Sequence, residues 1–209
     1  MVENVRLSRR ERERRRHKAE ILDAATELFS EKGFHNVSMN EIASEAEFAT
    51  GTLYNFFPSK EALYSEIMDT VAGNVLSVLT PILEGPGDEK AKLMSYFAAS
   101  VRIFHENAAA IRLLLRANQG RPPTQINAAN LGENASRIHD SVHGMLRQVV
   151  ASGIEKGLFR ALDPDVVALA LDAALRTVVF SVAEDANEDA LQERVSNIEK
   201  LFFRGILHA

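Results

Sequence analysis

The sequence predicts an all-α protein of about nine helices arranged in two domains. Apolar residues recur with a period near 3.6 through almost the whole chain. No stretch sustains the two-residue alternation of β-branched side chains that a half-buried strand requires. Helix punctuation falls between the periodic segments, at Gly33, Pro58, Gly85-Pro86-Gly87 and Asp163-Pro164, as stops, breaks and starts of known geometry demand.

The first helix is expected from about Arg15 to Lys32, with Ile21, Leu22, Ala25, Leu28 and Phe29 on one stripe and Gly33 as its stop. Ser38-Met39-Asn40-Glu41 has capping-box spacing and starts a short helix to about Glu45. Residues 46–49 separate it from a second short helix, about Thr50 to Phe56, which Pro58 ends. Ser59 caps the next helix, whose apolar positions run Leu63, Ile67, Val71, Val75, Leu79 and Ile82 up to the linker at 85–87. Helices over about 88–105 and 107–118 follow, then a loop at Gly120-Arg121-Pro122-Pro123 and a long helix of about 125–156 that ends at Gly157. Asp163 as N-cap with Pro164 at the first helical position opens a helix to about Asp185, and Asn187 caps the last, to about Leu207.

At 209 residues, with 46% hydrophobic side chains, the chain can bury a core without staples. It has no cysteine, which removes disulfides, thiolate metal sites and cysteine nucleophiles and suits a reducing cytoplasm. No uninterrupted apolar run approaches about 18 residues, so no membrane span is expected, and no apolar signal segment follows the N-terminal charges. A phosphate-binding glycine loop, HExxH and Gly-x-Ser-x-Gly are all missing, so neither catalysis nor a cofactor is expected. His139 and His143 have the i,i+4 spacing of a metal clamp. No third ligand accompanies them, and two solvated histidines are the simpler reading, so no metal is expected.

The net charge of −5 is unevenly spread. Residues 1–18 hold eight basic and three acidic side chains, a balance of +5, which leaves −10 on the remainder. A basic arm (1–14) on an acidic body suits contact with a polyanion at one end.

Two short helices joined by a tight turn close behind that arm have helix-turn-helix form, at about 38–57. Small Ala43 and Ala46 allow close approach at the turn, and Gly51 lets the second helix's backbone come near base edges or phosphates. Thr50, Thr52 and Asn55 are short polar side chains suited to a major groove. Tyr54 can offer its hydroxyl to a phosphate, and Lys60 lies in the first turn of the next helix, where amides and an ammonium together favour an anion. Ser38, Arg14 and Arg15 complete the candidate DNA-contacting set.

The residues themselves carry a specific pattern. Ala24-Ala25 with Leu28-Phe29, Lys32-Gly33-Phe34, Ser38 with Ile42-Ala43, Ala46, Gly51-Thr52-Leu53-Tyr54 and Phe57-Pro58-Ser59-Lys60-Glu61-Ala62-Leu63 resemble the DNA-binding signature of the tetracycline-repressor (TetR) family, over roughly residues 15–75. The resemblance implies a double-stranded DNA operator and phosphate-contacting roles for Tyr54 and Lys60. It also implies that residues 76–209 form a ligand-binding and dimerisation domain. Glu47 and Ala49 stand where a turn glycine and a capping Ser or Thr are usual, and Phe56 replaces a common His or Tyr, so one phosphate donor is absent.

A single helix-turn-helix makes few base contacts, which favours dimers on paired half-sites. The last two helices, about 164–207, offer the stripes Val167, Leu171, Ala174, Val178, Val182 and Leu191, Val195, Ile198, Leu201, Phe202, Ile206 for a homodimer interface. An apolar or amphipathic small-molecule effector is expected among residues 88–182. Its candidate contacts are Phe97, Phe104, His105, Met145 and Arg176, drawn from a wider set with Met94, Tyr96, Arg102, Leu114, Arg116, His139, His143 and Asp172. The function expected is a repressor that the effector releases from a palindromic operator. An interaction module with a lipid- or acid-binding arm and a helical enzyme are the rival classes.

Deleting residues 1–13 should lower DNA affinity and flatten the plot of log K against log salt by about 0.9 for each phosphate the arm neutralises. An unchanged slope in a salt titration would leave the arm without a binding role.

Overall fold

The structure, a computed structural model, describes residues 8–117, 133–182 and 188–206. Among them are α1 (Arg9–Lys32), a 3-10 turn (Phe34–Asn36), α2 (Met39–Glu45), α3 (Thr50–Phe56), α4 (Lys60–Leu83), α5 (Glu89–Glu106), α6 (Ala108–Ala117), α7 (Glu133–Glu155), α8 (Pro164–Val182) and α9 (Glu188–Ile206), with no β-strand. The protein is all-α. The loop at 120–123, the first turns of the helix expected from 125, Arg6, the Asn187 cap and the side chains of Arg116, Val182, Leu191 and Ile206 lie outside the described residues. The chain divides into two compact units, Met1–Ile67 and Met68–Ala209, with the division inside α4.

In the first unit α1 starts at Arg9 instead of Arg15. Ser8 and Glu11 form a capping box: the Glu11 N–H donates to Ser8 Oγ at 3.2 Å, and the Ser8 N–H donates to Glu11 Oε2 at 2.8 Å. Two of the orphan amides of the helix start are thereby satisfied, and residues 9–14 are helix rather than a separate arm. Gly33, at φ +83°, ends α1. A second capping box, Ser38 with Glu41, starts α2. Ile21, Ala25, Phe29, Ile42, Leu53 and Leu63 are fully buried and form the interior, as their spacing predicts.

α4 is the one described helix long and apolar enough to cross a membrane by length and composition, with a mean hydropathy of 1.2 in its best window. Only part of that apolar surface is buried, 28% of the window. Leu63 and Ile67 are buried in the first unit, and Leu79 and Leu83 in the second.

In the second unit α7 packs on α8, α8 on α9, and α5 against both α7 and α9. Leu93, Phe97, Leu146, Phe159, Ala168 and Leu171 are at its centre. A Cβ on Gly153 would lie 2.2 Å from the Phe159 ring, so only glycine lets that ring close the end of α7. The α8 stripe expected at a dimer interface, Val167 with Leu171, instead faces this interior together with Leu175. α8 is apolar on more than one face. Its outward apolar residues are Val166 and Leu169, 61% and 56% exposed, and α9 adds Leu201 at 71%.

Glu89, in the first turn of α5, is buried, and its Oε1 accepts from Lys156 Nζ and from Ser152 Oγ at 2.8 Å. The Lys156 hydrogen bond, opposed by burial and helped by Ser152, holds the carboxyl at about 2 against an ordinary 4.5. A depressed carboxyl contributes stability above its unfolded value and loses it as pH falls through its folded value. Glu89→Gln should therefore cost roughly 1–3 kcal/mol at neutral pH, the lower end reflecting the exposed Lys156 partner. Denaturant unfolding should show the difference from the parent shrinking as pH falls from 4.5 towards 2, and a pH-independent difference would refute the ionic origin.

Candidate nucleic-acid interface and effector cavity

The reversal between α2 and α3 is tight. The Ala46 N–H donates to Ile42 O at 2.9 Å and the Phe48 N–H to Ala43 O at 2.8 Å. Glu47 therefore takes φ +58°, in the left-handed region, which costs a non-glycine residue about 1–2 kcal/mol. The Phe48 ring meets His17 of α1 edge-on at 5.1 Å and anchors the turn. Ala49 is the N-cap of α3 and supplies no side-chain hydrogen bond. The two departures noted in the sequence are thus a strained turn and an open cap.

α3 buries Leu53 completely. At 100° per residue this turns Gly51, Tyr54 and Asn55 outward, and all three are exposed, while Thr50 and Thr52 are half-buried. A Cβ on Gly51 would meet nothing within 4 Å, so the chain's own packing does not ask for glycine there. Tyr54 is 51% exposed. It borders a shallow cleft of about 420 Å³ with Ser38, His35, Asn40, Glu41 and Lys60.

Three sequence candidates therefore converge on one cleft, but two of them are partly engaged. Lys60 Nζ donates to Phe34 O at 2.9 Å and stands 4.9 Å from the centre of that ring. The Ser38 hydroxyl accepts from the Glu41 N–H at 3.2 Å and donates to Glu41 Oε2 at 2.8 Å. Those bonds, the Ser38 backbone N–H foremost, keep the Glu41 carboxyl below its usual range, so an anion sits in the cleft that the sequence reading overlooked. Its place at the third position of the capping box is the signal that would have found it.

Arg14 and Arg15 are exposed on α1. The Arg14 guanidinium lies 5.9 Å from the Phe56 ring centre, near the limit of a cation–π contact. Phe56 itself carries no hydrogen-bond donor but stands beside the Arg14 guanidinium. Lys18 pairs with Glu66 at 2.6 Å and lies over Phe57.

The second unit holds a cavity of about 250 Å³ whose wall is mostly apolar, including Val71, Leu79, Phe104, Ile111, Leu114 and Val142. One end is polar. The Tyr96 hydroxyl donates to Asp172 Oδ1 at 3.2 Å, and Arg176 Nη2 donates to Asp172 Oδ2. His139 Nε2 lies 3.4 Å from Asp172 Oδ2 and 2.6 Å from Arg176 Nη2. Burial works to raise the Asp172 carboxyl, but the His139 hydrogen bond and the Arg176 charge outweigh it and hold the group below its ordinary value. The Asp172 hydrogen bond in turn raises His139 against burial, and burial raises Tyr96 well above the usual phenol.

Of the five effector candidates, Phe104 and Arg176 line the cavity. Phe97 and Met145 do not. Both are core residues, and the Phe97 ring packs on Tyr96, Phe202 and Phe203. His105 is exposed at the end of α5. One residue of helical rotation separates Phe97 from Tyr96 and His105 from Phe104, which is enough to leave the cavity. His139 and His143 turn to different carboxylates, His143 to Asp165 at 3.2 Å, and the described residues contain no cluster of three metal-ligating side chains.

Residues 21–67 match the sequence model of bacterial regulatory proteins, tetR family. The HTH-type transcriptional activator FasR of Mycolicibacterium smegmatis is 28% identical over 171 residues, 82% of this chain and 75% of that protein. The fold is similar to that of the TetR family transcriptional regulator PfmR from Thermus thermophilus, with a TM-score of 0.73, 22% identity, and coverage of 98% and 100% of the two chains. It is similar also to the transcriptional regulator FadR from Bacillus subtilis in complex with stearoyl-CoA, with a TM-score of 0.69, 21% identity, and coverage of 91% and 99%.

The turn makes two local defects available for repair. Glu47→Gly should relieve the left-handed strain and stabilise the protein by about 1 kcal/mol. Ala49→Ser should add about 1 kcal/mol through a cap to the first-turn amides of α3. Thermal melts of the two single variants and the double variant check this, and a fall in Tm for Glu47→Gly would contradict the assigned strain.

Proposed function

The chain belongs to the tetR family of bacterial regulatory proteins and is a DNA-binding transcriptional regulator, and on that premise we propose that it is a cytoplasmic repressor released from a palindromic operator by a small effector. The observation that carries this reading is the outward face of α3. Gly51, Tyr54 and Asn55 leave a small, polar, unobstructed surface on a helix whose opposite side is locked by Leu53. Such a face fits a major groove, with Gly51 giving the closest approach and Thr50, Thr52 and Asn55 the polar contacts. Tyr54, Lys60, Ser38, Arg14 and Arg15 surround it as phosphate-facing groups.

Homodimerisation through α8 and α9 would pair two such heads across half-sites about 34–36 Å apart. Exposed Val166, Leu169 and Leu201 supply apolar surface for that contact. The effector fills the cavity of the second unit; the similar FadR is in complex with stearoyl-CoA. α4 carries residues of the first unit's interior and, further along, Val71, Val75 and Leu79 of the cavity wall. An effector that binds one position of this helix better than another shifts the population of DNA-competent heads by its difference in affinity. Activation is the second reading, favoured by the name of FasR; a reporter driven by the selected operator, with and without the regulator, tells the two apart.

The Tyr54 hydroxyl makes no hydrogen bond among the described residues, so Tyr54→Phe should leave the Tm unchanged. It should weaken binding to a duplex selected from a random pool by about ten-fold, the worth of one hydrogen bond to a charged group. Gly51→Ala should do the opposite to stability, adding about 1 kcal/mol of helix propensity, while lowering DNA affinity. Fluorescence anisotropy showing both variants binding as the parent would refute this interface, and selected duplexes without two-fold symmetry would refute the dimer.

A further inference from the structure

The polar end of the cavity has more donors than acceptors. Its one carboxylate, Asp172, already receives the Tyr96 hydroxyl, Arg176 Nη2 and the His139 edge, and its side chain is only 17% exposed. It has little left to offer a ligand. Arg176 by contrast spends Nη2 alone, and its Nε and Nη1 make no hydrogen bond among the described residues. A guanidinium carries five N–H donors in a fixed fork. Asp172 and Arg176 cancel in charge, so a proton on His139 would leave the end net positive. The other carboxylate near His139, Asp140, stands 3.6 Å from Nδ1 and is 76% exposed, outside the cavity wall.

Arg176 Nη2 and His139 Nε2 stand 2.6 Å apart beside Asp172 Oδ2. With His139 donating from Nε2, two donors converge on this one end of the wall, and an added acceptor there relieves their mutual repulsion. The remainder of the wall, contributed by α4, α5, α6 and α7, is aliphatic or aromatic apart from Ser100, so the rest of the ligand must be apolar.

We propose that this cavity takes an apolar monoanion, an organic acid whose carboxylate is received by Arg176 and His139 while its hydrocarbon body lies against Val71, Leu79, Phe104 and Ile111. The inference rests on the effector reading above and gives the effector a chemical class. The guanidinium donates charge-assisted hydrogen bonds to a carboxylate, which an alcohol or ester of the same body does not match, and a cationic ligand would meet Arg176 head-on.

The test is calorimetric titration of the full-length protein with decanoate, 1-decanol, methyl decanoate and decylamine, and with phenylbutyrate beside its alcohol. The acids should bind about ten-fold or more tightly than the neutral analogues, with the amine weakest. Arg176→Gln should abolish the preference while decanol still binds. Should that variant fail to fold, Arg176→Lys, which keeps the cation but loses the fork, should retain the order of acid over alcohol with several-fold weaker acid binding. Equal or preferred binding of the alcohol, ester or amine, no binding of either acid, or an acid preference untouched in both Arg176 variants overturns the proposal. Release from the selected duplex is read separately. An acid that binds through Arg176 yet leaves DNA affinity unchanged upholds this inference and overturns the effector reading. Release by the alcohol or amine but not the acids does the reverse.

Discussion

The first unit is organised around the complete burial of Leu53. With that side chain fixed in an interior that also holds Ile42, helical geometry leaves Gly51, Tyr54 and Asn55 no direction but outward. The chain has four residues in which to bring Leu53 there. The left-handed Glu47 and the uncapped Ala49 follow from that constraint, because the backbone must reverse where neither side chain favours it. The outward face of α3 is thus a by-product of one aliphatic anchor, held against a turn that costs energy.

Asp172 has the corresponding place in the second unit. Three helices, α5, α7 and α8, each contribute one partner to its carboxylate, and the attraction from Arg176 and His139 offsets the desolvation that would otherwise neutralise it. This network fixes where the polar end of the cavity lies, while the aliphatic wall is supplied by side chains spaced along α4 and α6. Removing one cation from so enclosed a carboxylate would leave the remaining charge undercompensated, so the orientation of all four groups is coupled.

The helices were legible in the sequence because their ends are written in short-range chemistry: Ser38 with Glu41, Pro58, and Asp163 before Pro164 each fix a boundary from neighbouring residues alone. The start of α1 carried the same signal, Ser8-Arg9-Arg10-Glu11, but the density of charge around it reads as a tail. The interior of the first unit was also legible, since Leu53, Phe57 and Ile42 lie on single apolar stripes. α8 was not, because Val166, Val167 and Leu169 are apolar in several directions and only packing decides which of them turns inward. The cavity needs side chains from five helices to converge. Periodicity within one helix identifies Phe104 and Arg176 no better than it rejects Phe97 and His105, each a single step of rotation from a residue that lines the wall.

The capping box at Ser8 changes how far the arginines reach. An extended strand covers about 3.3 Å per residue, but an α-helix rises only about 1.5 Å, so the span from Arg9 to Arg16 shrinks to less than half. Its six arginines also spread around a cylinder instead of trailing along a line. Arg9 and Arg16 are already bridged to Glu13 and Glu20, and Arg14 is held near Phe56. What the chain presents is a short, stiff, charged rod with most of its ordering entropy already spent before any duplex arrives, unlike a floppy tether that explores a groove and stiffens on contact.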